Sequence, residues 1–169
     1  MKQITTFLWE RYKKIVYGNI LDRWKLEIEI PLIKIIHEWV SFENGYFFFK
    51  KFRSFFISKD IYNYSDDEKI YHEFSGNKIF LPDYLTNKVS LRLQALIGII
   101  IVDSLSLYLS ENISEKEFIV FSIIDKQKTS NVVVWFYSIF DGCTPIISEP
   151  FEESALNYLY IKKLSITEK

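Results

Sequence analysis

The sequence predicts an α+β fold, with several helices packed against a small antiparallel sheet in one domain that covers residues 1–169. Three observations carry this prediction. Hydrophobic residues make up 49% of the chain and aromatic residues 18%, which is enough apolar surface to build a packed core. A long central segment is apolar on nearly every side of a helix, and two β-branched, aromatic runs follow it.

Helical spacing dominates the first third of the chain. Apolar residues recur along one helical face from Ile4 to Val16, and Gly18 follows as a stop signal. Residues 20–42 are ambiguous: Trp24–Ile30 alternates like a strand, and Pro31 then suits the first turn of a helix. One long helix broken at Pro31 is the alternative.

An aromatic and basic segment follows the turn signal Asn44–Gly45. Its phenylalanines from Phe48 to Phe56 recur with helical period, and Lys50, Lys51 and Arg53 lie between them. Such a stripe can lie on a membrane surface or fill a groove in a partner, but more often it packs in the core. We therefore expect these phenylalanines to be core residues.

Two further helices have clear local signals. Ser65 and Glu68 form a capping-box pattern, so a short helix should run to about Phe74 and stop at Gly76. A central buried helix is expected at about residues 88–110. Its longest uncharged apolar run, Leu93–Val102, is about half the length that a membrane span requires, so no span is expected.

The last third predicts an antiparallel sheet at about residues 117–148. Glu117–Asp125 and Val132–Phe140 read as a hairpin with a polar loop, and Thr144–Ser148 reads as a third strand after the turn at Asp141. Glu152–Lys163 reads as a closing helix, because it has acidic residues in its first turn and lysines in its last.

Composition excludes several kinds of site. One cysteine, Cys143, and two histidines, His37 and His72, are too few for an ordinary zinc site, and no metal or cofactor is expected. The chain has no glycine-rich phosphate loop and no nucleophile motif. A net charge of −1 argues against direct nucleic-acid binding, and no signal-peptide pattern opens the chain, so a cytoplasmic location is expected.

Acidic clusters are the remaining candidate sites, because acidic patches speed encounter with basic partners. Some of them also have a simpler explanation as helix starts. Nine residues are predicted to bind a partner: Asp66, Asp67, Glu68, Glu111, Glu115, Glu117, Glu149, Glu152 and Glu153.

In these features the chain resembles bacterial immunity proteins of polymorphic and contact-dependent growth-inhibition toxin systems. The similarity lies in the single-domain length, the aromatic richness, the missing catalytic set and acidic clusters such as Asp66–Asp67–Glu68. It implies a protein-binding inhibitor that covers the active site of a cognate, basic toxin, such as a nuclease. The alternative is a small enzyme with a site assembled from scattered carboxylates and histidines, which requires a polar cleft.

Overall fold

The computed structural model describes residues 2–8, 40–43, 45–49, 53, 64–84, 89–125, 131–143, 145–146 and 159–166. The elements in this part of the chain are β1 (Lys2–Leu8), β2 (Val40–Glu43), β3 (Tyr46–Phe49), α1 (Asp66–Gly76), β4 (Lys78–Phe80), a 3₁₀ turn (Leu81–Tyr84), α2 (Leu91–Asn112), β5 (Glu117–Asp125), β6 (Asn131–Ile139) and β7 (Leu159–Ile166). They form an α+β fold, as the sequence predicts.

Two antiparallel sheets are present in the described residues. The larger has five strands in the order β1-β7-β5-β6-β4, and the smaller is the β2–β3 hairpin. Gly45 forms the turn of that hairpin with a φ of +86°, a left-handed conformation that glycine adopts at little cost. The predicted hairpin of β5 and β6 is confirmed, and its register pairs Phe118 with Ser138 and Ile124 with Val132.

The helix α2 covers one face of the larger sheet. Ser90 begins it by accepting a hydrogen bond from the Leu93 amide, and Val102, Leu105 and Leu109 of α2 are fully buried. They belong to one core cluster with the inward residues of β5 and β6 and with Phe47 and Phe49 of β3. The central helix is therefore confirmed, although it starts at Leu91.

Helix α2 has the length and the apolar composition of a helix that could span a membrane. It has 22 residues, and an apolar window of 18 residues within it has a mean hydropathy of 1.8. Half of that apolar window is buried inside the protein, as in the core helix of a globular domain.

The opposite face of the sheet packs against α1. Ile70 and Phe74, one helical turn apart, contact a cluster that includes Phe121, Trp135 and Tyr137. The predicted capping box is confirmed, since Ser65 accepts from the Glu68 amide and the Glu68 carboxylate accepts from the Ser65 amide. The stop at Gly76 is confirmed as well.

Predicted helices at both ends of the chain are wrong where the structure describes them. Lys2–Leu8 forms strand β1, and Leu159–Ile166 forms β7, which pairs with β1 and β5. Apolar spacing predicts the first of these helices, and the charges at the two ends of the segment predict the second. β-branched and aromatic residues also suit strands, and the pairing of β1 with β7 and of β7 with β5 makes both segments strands. The other residues of those two predicted helices lie outside the described part of the chain.

Two further predictions on the first half of the chain are wrong. The helix expected after Pro31 does not include Val40, which begins β2. Phe48 and Phe49 lie in β3 and not in a helix, whereas Arg53 of the same predicted segment is helical. Both phenylalanines are buried, so their assignment to the core is confirmed.

In the last third of the chain, the strand expected at Thr144–Ser148 is wrong for Pro145 and Ile146, which are not in a strand.

Candidate functional site

The most unusual polar group in the described residues is the buried carboxylate of Glu73 on α1. Its exposure is 0%. One oxygen, Oε1, accepts a hydrogen bond of 2.8 Å from the Phe47 amide of β3. The other, Oε2, accepts from the amide of Ser138 at 2.6 Å and from its hydroxyl at 2.8 Å. One side chain of α1 thus joins the smaller sheet to the larger one.

Asn77, the C-terminal cap of α1, continues the same contact. Its Oδ1 accepts from the Phe49 amide at 3.2 Å, and its Nδ2 donates to the Phe47 carbonyl at 2.7 Å. We call Glu73 and Asn77 the clasp. Four residues of helix rise about 6 Å, and two residues of strand rise about 6.6–6.8 Å. This match lets two side chains of α1 satisfy successive backbone groups of β3, as a neighbouring strand would.

The clasp also completes the outer edge of β6. Short β4 pairs only with Val133, Val134 and Trp135. Beyond one end of β4, the Ser138 amide donates to Glu73, and beyond the other end the Val132 amide donates to Gln94 of α2. Because a buried amide without a partner is costly, helix side chains satisfy the edge where β4 does not reach.

Burial raises the pKa of the Glu73 carboxyl to about 7, although its three hydrogen bonds and the Lys116 ammonium act in the opposite direction. Burial, followed by the charges of Tyr64, Glu73 and Glu68, also raises the pKa of Tyr46 to about 12. Perturbed groups of this kind often mark active sites. Here the carboxylate is closed to solvent and its oxygens are already occupied, which is the arrangement of a structural group.

An exposed group of carboxylates surrounds Cys143 near the start of α1. Asp66 and Asp67 come from α1, and Asp141 comes from the turn after β6. Burial, the hydrogen bond from the thiol to Asp67 and the charges of Asp66 and Asp141 raise the pKa of the Cys143 thiol. A thiol held protonated is a poor nucleophile, so this environment opposes catalysis by Cys143.

The ring of Phe140 connects these carboxylates to the loop before β5. Lys69 of α1 lies 5.5 Å from the centre of the ring, and Lys116 lies 4.6 Å from it. Lys69 also pairs with Asp66 at 2.9 Å. Glu115, which is exposed, precedes Lys116. We call Asp66, Asp67 and Asp141 the acidic end.

The structure thus brings together only some of the predicted partner-binding residues. Glu68 and Glu117 have structural partners: Glu68 caps α1, and Glu117 accepts from the Ile166 amide at 2.9 Å. Glu111 is exposed in the last turn of α2. The remaining three predicted residues lie outside the described part of the chain: Glu149, Glu152 and Glu153.

Tyr71 adds an aromatic ring to this surface. It follows Asp67 by one helical turn, so the two side chains share a face of α1, and Tyr71 is 63% exposed. His72 points elsewhere, because its ring makes edge contacts with Tyr46 and Tyr64. His37 lies outside the described residues.

No family model matches the sequence, no curated protein matches it, and no solved structure matches the fold. Among the residues that the structure describes, no group of three or more metal-ligating side chains is present. The residues of the acidic end and of the clasp are therefore the basis for any functional argument.

Sequence reasoning missed two of these features. The clasp residues share the stripe Ile70, Glu73, Phe74 and Asn77, whose spacing of three and four residues is that of a buried helix face. Glu73 and Asn77 are the polar residues in this stripe, and their place on a buried helix face is the sequence signal that indicates the clasp. The sequence predicts only a turn at Asp141, and the proximity of this residue to α1 depends on where β6 ends.

The environment of Cys143 gives a first testable prediction. We expect the thiol to react with iodoacetamide more slowly than free cysteine at pH 7.5, because less of it is thiolate. Asp67→Asn removes one carboxylate and should speed the reaction on the order of threefold. Asp83→Asn, an equivalent exposed change on the 3₁₀ turn, should leave the rate unchanged. Equal rates for all three proteins would contradict this account.

Proposed function

We propose that this protein is an inhibitor that binds a basic protein through the acidic end, as an immunity protein binds its cognate toxin. The observation that carries the proposal is the convergence of exposed carboxylates from two separate segments of chain, α1 and the turn after β6. Carboxylates that converge in this way attract a cationic surface such as the active site of a nuclease.

Tyr71 supports a protein partner. Tyrosine is enriched in protein interfaces because it combines a large apolar ring with a hydroxyl group. On α1 its exposed ring lies one turn from Asp67, so an aromatic contact is available beside the charges. The resemblance to cytoplasmic immunity proteins leads us to propose the same compartment for this chain.

The described residues give less support to the alternative of a small enzyme. The carboxyl group with the strongly raised pKa, Glu73, is fully buried and bound by three donors. The thiol of Cys143 is held in its protonated form by its surroundings. Glu73 is therefore closed to a substrate in solution, and Cys143, although partly exposed, is a poor nucleophile.

The proposal predicts binding that depends on charge. The partner is first captured from native lysate and identified by mass spectrometry. Surface plasmon resonance then measures its binding to the wild type and to the double variant Asp67→Lys/Asp141→Lys. We expect the association rate at low salt to fall roughly tenfold or more, with a smaller change in the dissociation rate. The wild-type association rate should also fall steeply as salt rises.

Asp83→Lys is the matched control, since it reverses one exposed charge beyond the other end of α1. Equal association rates for the double variant and the wild type would exclude the acidic end as the binding surface. Inhibition is measured separately, as growth of cells that express the partner with and without this chain. A partner that binds but keeps its full toxicity would refute the inhibitor proposal.

A further inference from the structure

The side of α2 that faces away from the larger sheet is also apolar. Four residues lie along it with the spacing of one helix face, and we call them the outer stripe: Leu93, Leu96, Ile100 and Leu107. None of the four is fully buried, and Leu107 is 54% exposed. The buried residues of α2, such as Leu105, lie on the opposite side of the helix. The outer stripe is therefore apolar surface that the core uses only in part.

One charged residue interrupts the outer stripe, and the fold already pairs it. Asp103 follows Ile100 by about one helical turn, where the next apolar residue of the stripe would stand. Its Oδ1 accepts from the Tyr160 hydroxyl at 2.5 Å and pairs with the Lys162 ammonium at 2.9 Å. A carboxylate with partners inside its own chain costs less to cover than a free one. Asp103 thus leaves the stripe open to an apolar partner.

Two charges of opposite sign flank the outer stripe. Arg92 lies in the first turn of α2 and Glu111 in the last, about 28 Å apart along the helix axis. Neither forms an ion pair with another described residue. If a second copy of α2 packs in the antiparallel orientation, Arg92 of each copy lies opposite Glu111 of the other. A parallel second copy would bring like charges together.

Both charges also oppose the dipole of their own helix. The N-terminus of a helix carries partial positive charge and the C-terminus partial negative charge, so Arg92 and Glu111 each lie at the unfavourable end. In an antiparallel pair, Arg92 lies beside the C-terminus of the second helix and Glu111 beside its N-terminus. Each charge is favourable there. A second copy of α2 therefore accounts for charges that α2 alone disfavours.

We propose that the chain forms a symmetric dimer in which two copies of α2 pack antiparallel along their outer stripes. A twofold axis close to Ile100 sets Leu96 of one copy against Leu107 of the other. Because α1 lies on the opposite face of the larger sheet, the dimer leaves the acidic end uncovered and does not depend on the function proposed above. An interface of one helix per copy is small, so the dissociation constant should be on the order of tens of micromolar.

The other apolar environment for the outer stripe is a lipid bilayer. Helices that lie on a membrane surface are rich in Lys and Arg on their polar face. The only cationic side chain of α2 is Arg92, and the helix also carries Asp103 and Glu111. These charges favour a second copy of the chain over anionic lipid.

Sedimentation velocity, at concentrations from roughly 1 μM to 1 mM, measures the association. The wild-type sedimentation coefficient should rise from that of a monomer to that of a dimer. Leu107→Glu sets a carboxylate against Leu96 of the second copy and should raise the dissociation constant roughly tenfold or more. Tyr71→Glu, a matched change at an exposed residue of α1, should leave it unchanged. A wild-type chain that stays monomeric, or equal dissociation constants for the two variants, would overturn the proposal.

Charge reversal tests the antiparallel orientation. Arg92→Glu and Glu111→Arg each set like charges opposite one another, so each should weaken the dimer roughly tenfold at low salt. Each change also improves the match of α2 to its own dipole, so the loss cannot come from a less stable helix. The double variant with both changes restores opposite charges and should recover most of the affinity. Double-variant association as weak as that of the single variants would refute the antiparallel dimer.

Flotation with vesicles of phosphatidylcholine and phosphatidylserine distinguishes the second copy from a bilayer. We expect the wild-type chain to stay in the aqueous fraction. Flotation of the wild type that Leu107→Glu abolishes would assign the outer stripe to lipid and would refute the dimer as its occupant.

Discussion

Replacing Asn77 with Leu is expected to destabilise the protein by about 3 kcal/mol, because two buried backbone groups lose their partners. Leu has nearly the shape of Asn, so it fills the space without admitting water. It cannot accept from the Phe49 amide or donate to the Phe47 carbonyl. Each buried backbone group without a partner costs about 1–3 kcal/mol, so the loss of partners for two such groups accounts for about 3 kcal/mol. Urea unfolding measures the loss, and the melting temperature should fall by about 6–12 °C.

Two variants test that explanation. Asn77→Asp keeps an acceptor for the Phe49 amide but removes the donor to the Phe47 carbonyl, and it adds a carboxylate one turn from Glu73. It should therefore destabilise the protein at neutral pH and recover part of the loss at lower pH. Ser75→Ala, an exposed change on the same helix, should alter stability by less than about 0.5 kcal/mol. If Asn77→Leu is as stable as Ser75→Ala, the clasp does not hold the hairpin.

The elements that the sequence predicted correctly have their signals within a few neighbouring residues. The cap at Ser65 needs only Glu68, and the limits of β5 and β6 follow from their own β-branched runs. The strands β1 and β7 could not be recognised in this way. The apolar spacing around β1 and the terminal charges of the segment that contains part of β7 both predict helices. They are strands because each pairs with a segment far along the chain, as Lys2 pairs with Ile166.

The same reasoning explains what was missed at the two sites. Glu73 has no sequence neighbour that reveals its role, since its donors come from β3 and β6. Asp66 and Asp67 could be recognised as exposed acidic residues, but only the fold places Asp141 beside them. Local patterns indicate which residues are polar and near a helix end. The pairing of distant strands decides which of them meet.

Leu105→Ala is expected to destabilise the protein by about 3 kcal/mol, within the usual range of about 2–5 kcal/mol for a fully buried leucine. Leu105 is 0% exposed in the core between α2 and the sheet, so its removal leaves a cavity. Leu107 lies two residues away on the same helix and is 54% exposed. Because both variants make the same change in helix propensity, Leu107→Ala isolates the effect of burial and should cost less than about 0.5 kcal/mol.

This pair of variants also tests how the apolar residues of α2 are used. If α2 is the core helix of the domain, stability follows the burial of each leucine against the sheet, and urea unfolding should separate the two variants clearly. If α2 instead serves mainly as an apolar rod of membrane length, the two leucines are equivalent. Equal losses of stability would then contradict the packing of α2 against β5 and β6, and with it the core on which both the clasp and the acidic end depend.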